Sequence, residues 1–595
     1  MSRSAGRVRE LRVREPRAGA SRPACARVLA LAALLAGFLG VGLVGAAPAL
    51  AHAELASTDP ADGSRLDAAP SQVRLTFTES VSLDVGYVRV VDGRGQRVDT
   101  GPVTHPASTG SAAAVALRTG LSSGGYVVSY RVVSADSHPI SGAFAFTVGD
   151  GPLVSASGAV AEGSGTDGVV NALFAGVRWI SFVGLVLLGG LIFVTVCWSE
   201  GRTDQRARRI IWTGWGLGVG ASVGAVLLQG PYASGEPVTS VFSPDLLSAT
   251  LGTTYGRMQS VRLIALGALA VLLVRLLREL PAAEAEQARA RDEDLAAVLG
   301  LVVLATYGAS GHAVAGIQPT VAVLSDTVHL AAVAAWVGGL VLLTTCLLPG
   351  RRVDELAAVL PRFSRLAFGA VIVLVVTGTY QAWREVGTPP ALLSTDYGRL
   401  LSLKIAGFVL LVSLGNLGRI AVRRRYGGLP VAYALAHLAE PDPAPRSDAR
   451  VLSRLRRSVA LEVGIAGVIL ALTAVLVSQA PARASYGTAY DTTLRLASGG
   501  TTQLTVTPAR QGVNTVHLYV FDSAGKLTEP AGVGLEITLP AEQIGPLPVT
   551  LVKAGPGYWQ STTVSFPKAG SWQLVVRVRA SEFESSVASA QVSIR

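Results

Sequence analysis

A histidine at position 52 follows Ala49-Leu50-Ala51, a small-x-small pattern of the kind signal peptidases cut. Cleavage there makes His52 the first residue of the exported chain. The α-amine and imidazole of one terminal residue can close a chelate ring on a single metal ion, and an amine with an ordinary pKa of about 7.7 to 8 gives up its proton readily to a metal. Further on, "SADSHPISGAFAFTVG" sets Asp136 and His138 two residues apart at the start of a strand-like run, and residues i and i+2 of a strand project from one face. An amine, two imidazoles and one carboxylate form a nitrogen-rich set that suits tetragonal Cu(II) better than octahedral Mg or Ca. Alone, Asp-x-His reads as a polar turn before Pro139, and the cleavable His52 is what gives it weight. Glu79, closing "LTFTE", is either a hydrogen-bond acceptor for a ligating imidazole or a solvated strand-end carboxylate.

Within the long apolar stretches the imidazoles are His312, in "SGHAVAG", and His329, in "DTVHLAAVAAW", placed to approach one another across a short loop. Asp326 lies three residues before His329 and so shares its helical face. Ionisable groups at membrane depth are costly and read as functional by default, the alternative being interfacial residues wetted by headgroups. Arg178, Arg262 and Lys404 also fall inside apolar stretches, where they either snorkel outward or pair with Asp326. Cys346 and Cys197 lie at the far ends of their stretches, where thiolates suit Cu(I); a cysteine in an apolar span is more often a packing residue.

These residues need both water-soluble and bilayer-embedded elements to hold them. Of 595 residues half are hydrophobic and only 15% charged, which excludes a single soluble domain. Residues 1–51 read as a signal peptide: a basic leader, an apolar run from Val28 to Val44, then small residues. Residues 52–150 show short alternating stretches, "QVRLTFTE", "GYVRVVD" and "YVVSYRVVS" among them, as in a small antiparallel β-sandwich or barrel. A Gly/Ser/Ala-rich linker, 151–168, follows. Eight apolar segments of near-spanning length occupy 169–480, at about 169–197, 210–230, 259–279, 295–314, 320–348, 366–385, 400–421 and 459–480. Segment 485–595 again alternates and reads as an immunoglobulin-like sandwich. Of the three cysteines Cys25 leaves with the signal, so no disulfide framework supports the exported domains.

The net charge of +11 is positional rather than a nucleic-acid footprint. Arg202, Arg206, Arg208 and Arg209, then Arg275 and Arg278, Arg351 and Arg352, Arg423 to Arg425, and Arg454, Arg456 and Arg457 all fall in every second connection. The positive-inside rule makes those connections cytoplasmic and leaves both soluble ends outside a plasma membrane. The apolar part also repeats in tandem. "GGLIFVTVC" ending at Cys197 matches "GGLVLLTTC" ending at Cys346, and "TTYGRMQSVR" matches "TDYGRLLSLK". Two four-helix halves in parallel orientation follow, with their interface the natural place for a pathway.

"HAELASTDPADGS", "VRLTFTESV" and "SADSHPISGAFAFTVG" resemble the copper-resistance protein C (CopC) family of extracytoplasmic copper-binding β-barrels over the whole first domain. The resemblance implies Cu(II) ligation by His52, Asp136 and His138, with Glu79 auxiliary. The mature domain lacks the methionines of the family's Cu(I) site. "DTVHLAAVAAWVGGL" and "DYGRLLSLKIAGFVLLVSLGNLGR" are similar to the copper-resistance protein D (CopD) family, associated with copper uptake or tolerance. "GVNTVHLYVFD" and "GYWQSTTVSFPKAGSWQL" look more loosely like YtkA/FixH-like extracytoplasmic modules. No Walker A pattern or hydrolase motif occurs, so neither an enzyme nor an ATP-driven pump is expected. A haem oxidoreductase would need paired histidines on facing helices. The expectation is a copper-homeostasis and resistance protein that binds copper outside and imports it. The alternative is extracytoplasmic sequestration, or delivery to a cuproenzyme through a donor or acceptor protein, without transport.

Overall fold

A computed structural model describes residues 55–60, 64–106, 109–134, 137–150, 168–278, 285–350, 353–425, 447–486, 490–581 and 584–594. His52 and Asp136, two of the expected ligands, lie outside the described residues.

Alternation builds the first domain. In β3 (Gln72–Phe77) Val73, Leu75 and Phe77 are buried while Gln72, Arg74 and Thr76 lie toward the surface. With β1 (Leu55–Asp59), β2 (Arg65–Leu66), β4 (Val81–Asp92), β5 (Asp99–Thr104), β6 (Ala112–Leu117), β7 (Gly124–Ser134) and β8 (Pro139–Val148) it forms two four-stranded sheets, ordered β1-β3-β6-β5 and β2-β8-β7-β4. The sheets close on a core of Val73, Leu75, Val88, Val90, Val128, Phe144 and Phe146. Strand β7 departs from alternation, being buried almost throughout, Arg131 included. One face meets the sandwich core and the other meets the helical part, where Val85 and Val133 pack on Ala233, Leu246 and Ala249.

The helical part comprises α1 (Gly168–Leu188) continued by α2 (Gly190–Val196), α3 (Gln205–Ser234), short α4 (Pro244–Gly252), α5 (Thr254–Leu276), α6 (Ala285–Gly308), α7 (Pro319–Leu342), α8 (Val353–Val386), short α9 (Ala391–Ser394), α10 (Asp396–Arg425), α11 (Ser447–Leu476) and short α12 (Ala482–Ser485). Each expected span falls on a helix, and among the described residues seven are long and apolar enough to cross a membrane. The exception is α6. Its first turns carry Arg289, Arg291, Asp292, Glu293 and Asp294, and the apolar remainder, 295–308, rises only about 20 Å against a hydrocarbon core of about 30 Å. The acidic turn ties basic ends together, Asp292 to Arg275 at 3.1 Å and Glu293 to Arg202. The fourth span also ends earlier than the sequence suggested, so His312 sits in the loop beyond α6, on a single 3₁₀ turn, His312–Val314.

The tandem repeat is visible as a crossing. Gly189 and Gly338 open the two matching Gly-Gly-Leu motifs, and α1 and α7 meet there backbone to backbone. A Cβ at Gly189 would lie 2.4 Å from the Ala334 carbonyl oxygen, and one at Gly338 would lie 2.4 Å from that of Val186. Each motif also interrupts its helix, α1 yielding to α2 at Gly189 and α7 passing into one π turn, Leu343–Leu347. The second matching motif caps a helix in each half: Thr253 Oγ1 accepts from Gly256 N at 3.1 Å, and Thr395 Oγ1 from Gly398 N at 3.0 Å. Helices α1 and α7 each pack against the last long helix of the opposite half, α11 and α6 respectively. The interface expected to hold a pathway is thus closed at its centre by glycine contact, and the Asp326–Gln381 and His329–Thr377 pairs lie within the second half.

Beyond α12, strands β9 (Tyr490–Arg495), β10 (Thr501–Thr507), β11 (Gly512–Phe521), β12 (Gly532–Leu539), β13 (Ile544–Val549), β14 (Val552–Gly555), β15 (Tyr558–Phe566), β16 (Gly570–Arg579) and β17 (Ser585–Ile594) form sheets ordered β14-β15-β11-β10-β9 and β13-β12-β16-β17. They sandwich Leu504, Val516, Leu518, Ile537, Phe566, Trp572 and Leu574. Trp572 is fully buried and its indole N–H donates to Lys568 O at 2.9 Å.

Candidate metal centre

The first domain is held on one end of the bundle by polar contacts surrounding His138. Arg131 reaches out of β7 and donates from Nε to Ala233 O (2.6 Å) and from Nη2 to Tyr232 O (3.0 Å), carbonyls of the last turn of α3. Those carbonyls have no intrahelical donor, so a guanidinium there satisfies them and complements the helix dipole. Gly235, at φ +81°, ends α3 in a left-handed turn and leaves room for the guanidinium, whose Cζ would lie 3.3 Å from a Cβ there. Gln229 Nε2 donates to Ser137 O at 3.2 Å, and Gly316 N donates to Glu79 Oε1 at 3.2 Å. Glu79, partly exposed, thereby grips the loop that carries His312.

His138 is buried at 7% exposure, its Nε2 3.1 Å from Val477 O just beyond α11. A carbonyl only accepts, so His138 Nε2 carries a proton and is the donor. Anchoring one ring nitrogen to a backbone carbonyl is the usual way a metal-ligating histidine is oriented. The His138 and His312 rings stack with centroids 4.6 Å apart and planes 4° from parallel. Among the described residues no three His, Cys, Asp or Glu side chains converge as a metal-binding group.

The loop bearing His312 is pinned from below by Arg384 of α8. Arg384 donates to Ile317 O (2.9 Å), His312 O (3.1 Å) and Ala315 O, and pairs with Glu385. Arg384, Gln381 and Thr377 follow one another at helical spacing along α8 and meet a matching row on α7. Gln381 Nε2 donates to Asp326 Oδ1 at 2.5 Å, and His329 Nδ1 lies 2.8 Å from Thr377 Oγ1. Thr377 already donates to Val373 O at 2.7 Å, so it accepts from His329 Nδ1–H, which leaves the lone pair of His329 at Nε2. Lys404 of α10 is close enough to both Asp326 and His329 to act on each electrostatically. These residues make a polar ladder about 10 Å deep, from Arg384 down to Thr377.

His312 and His329 do not face one another across the loop as their spacing suggested. His329 lies ten residues into α7, about 15 Å along its axis, and pairs with Thr377, whereas His312 meets His138. Of the three cations, Lys404 is the neighbour of Asp326. Arg178 donates to Ser478 Oγ at 2.5 Å and covers the Phe174 ring, while Arg262 donates to Thr306 Oγ1 at 2.8 Å and covers Tyr307. Cys197 and Cys346 are both packed in the apolar core of the bundle. Sequence reasoning missed Arg131, Thr377, Gln381 and Arg384, although the last three stand one turn apart in "VTGTYQAWRE".

Comparison with known proteins matches three family models along the chain: the CopC domain over residues 55–149, the copper resistance protein D-like N-terminal domain over 169–320, and copper resistance protein D over 357–476. The chain is 27% identical over 555 residues to the copper transport protein CutJ of Bacillus subtilis, covering 90% of this chain and 94% of that one. It is 30% identical over 112 residues to copper resistance protein C of Pseudomonas syringae pv. tomato, covering 18% of this chain and 88% of that one. It is 28% identical over 252 residues to the inner membrane protein YebZ of Escherichia coli, covering 40% and 81%. With His138 at the seam between the two matched parts, the chain belongs to the copper-resistance protein C and D families, joined in one polypeptide.

Proposed function

We propose that this protein captures Cu(II) outside the cytoplasm with its first domain and conducts copper inward through the second half of its helical bundle. The observation that carries the reading is the docking itself: the edge of the first domain bearing His138 and Glu79 lies directly on the loop that tops the Asp326–His329 ladder. His52 and Asp136 complete the expected capture set with His138. Asp326 and the Nε2 lone pair of His329 then offer a carboxylate and an imidazole below the loop, a pair suited to copper as cargo. The name of the Bacillus relative, a copper transport protein, agrees with conduction. An interior-negative potential favours entry of a cation by about 2.3 kcal/mol per charge per 100 mV, so no nucleotide is needed. The ladder lies at the end of the bundle opposite the Arg202–Glu293 and Arg275–Asp292 pairs, which supports an orientation with both sandwiches outside the plasma membrane.

The test is copper accumulation by cells at limiting external copper, comparing wild type with His138→Ala and His329→Ala at matched expression. Loss in both variants supports capture followed by conduction. Unchanged accumulation in His329→Ala, with loss of copper tolerance in His138→Ala, would replace import by sequestration or delivery to an extracytoplasmic acceptor.

A further inference from the structure

Stacked imidazoles from two domains are an unusual way to close an interface, because an apolar ring would pack as well without polar nitrogen. We infer that His312 is a copper ligand of the membrane part and shares its ion with His138, so that copper leaves the first domain through a site built jointly by both. This rests on the copper reading above and names the residue that receives the ion.

Three independent features fix the pair. His138 is oriented by its Nε2–H bond to Val477 O, which leaves Nδ1 as its ligating atom. The His312 loop is held from above by Glu79 through Gly316 N and from below by Arg384 through His312 O, Ile317 O and Ala315 O. A loop fastened at both faces positions its side chain as a scaffold element does. The rings lie side by side across the seam with centroids 4.6 Å apart, so with His138 held in place, rotation of His312 about its side-chain torsions would bring one of its ring nitrogens to an ion on His138 Nδ1. Arg384 also stands one turn above Gln381, the partner of Asp326, so the receiving ligand and the top of the ladder are braced by one helix.

The experiment titrates full-length protein in detergent with Cu(II) sulfate against a competing chelator and counts ligating imidazoles by pulsed electron paramagnetic resonance. The variants are His138→Ala, His312→Ala and His312→Phe. The phenylalanine keeps a ring for the stack but offers no lone pair. Loss of even an outer partner of a metal ligand costs roughly 10- to 100-fold in affinity, so at least a tenfold loss is expected for His312→Phe, with one imidazole fewer. Wild-type affinity and imidazole count in His312→Phe would overturn the shared site and make His312 a packing residue. Failure of the copper reading looks different: His138→Ala would then bind copper like wild type.

Discussion

Replacing Arg131 with methionine tests whether docking of the first domain is set by the contacts described above. The side chain is 1% exposed, and its guanidinium makes two charge-assisted bonds, to Ala233 O at 2.6 Å and Tyr232 O at 3.0 Å. Each such bond is worth about 1.5–3 kcal/mol, and a cation at a partly buried helix C-terminus adds up to about 2 kcal/mol. Burying the guanidinium costs several kcal/mol of this. Methionine fills similar space but leaves both carbonyls without a donor in a dry interface, so a net loss of about 3 kcal/mol is expected, or about 100-fold in the docking equilibrium. Hydrogen exchange on the full-length protein reads the effect at residues 230–236 and 312–318, because Gly235 N bonds to Pro231 O and Gly316 N to Glu79. Both segments should exchange faster in Arg131→Met, and Arg131→Lys should recover part of the protection. Copper accumulation should fall with docking. Unchanged exchange at both segments would refute the idea that this arginine latches the domains together.

Thr377→Val removes the acceptor that orients His329 without altering this proposed ligand; copper accumulation should fall by roughly 10-fold, the order expected when an outer partner of a metal ligand is lost, while the yield of folded protein stays unchanged. Gly338→Leu places side-chain atoms where a Cβ alone would be 2.4 Å from Val186 O, and the yield of monodisperse protein on size exclusion should collapse, since the helix backbones cannot part without breaking the crossing. In the C-terminal sandwich burial holds the His517 pKa below its ordinary value of about 6.5, and its Nδ1 lies 2.7 Å from Tyr558 Oη. The unfolded chain then binds the extra proton first, so the contribution of His517 to stability is intact above about pH 6.5 and is lost as pH falls from there toward the folded value. The thermal midpoint of this sandwich, followed by hydrogen exchange in Gly512–Phe521 corrected for intrinsic rate, should drop over that window in wild type and flatten in His517→Phe.

Much of the fold was legible because the signals are local. Alternation marks β3 in four or five residues, and apolar length marks the spans, α6 being the instructive case, since its helix is there but its charged first turns shorten the apolar part. The candidate site was legible residue by residue but not as an assembly. Its decisive contacts join residues 92, 237 and 339 positions apart, Gln229 with Ser137, Gly316 with Glu79 and His138 with Val477, and no periodicity carries such distances. Strand β7 did hold a clue. A strand whose neighbours bury both faces reads as a continuous apolar run, and an arginine inside it, "YVVSYRVVS", needs a partner from outside the sandwich.

The duplication shows how the two halves differ at matching positions. In the register of the Gly-Gly-Leu motifs, Val177 and Ile180 stand where Asp326 and His329 do, and in the register of the Tyr-Gly-Arg motifs Arg262 stands where Lys404 does. The first half thus has the cation but neither the carboxylate nor the imidazole at these positions. Its arginine is committed to Thr306 and the Tyr307 face and fastens α5 to α6. In the second half the cation faces Asp326 and supplies the opposite charge that a carboxylate needs at this depth. Two copies of a four-helix unit need a shared surface that is dry and tight, and the crossing glycines provide it. A pathway along that surface would require polar groups at the place where the backbones touch. The carboxylate and imidazole of the second half lie away from that crossing, while the first domain rests on α3 and α4 of the first half and brings His138 to His312 in the loop that joins the halves.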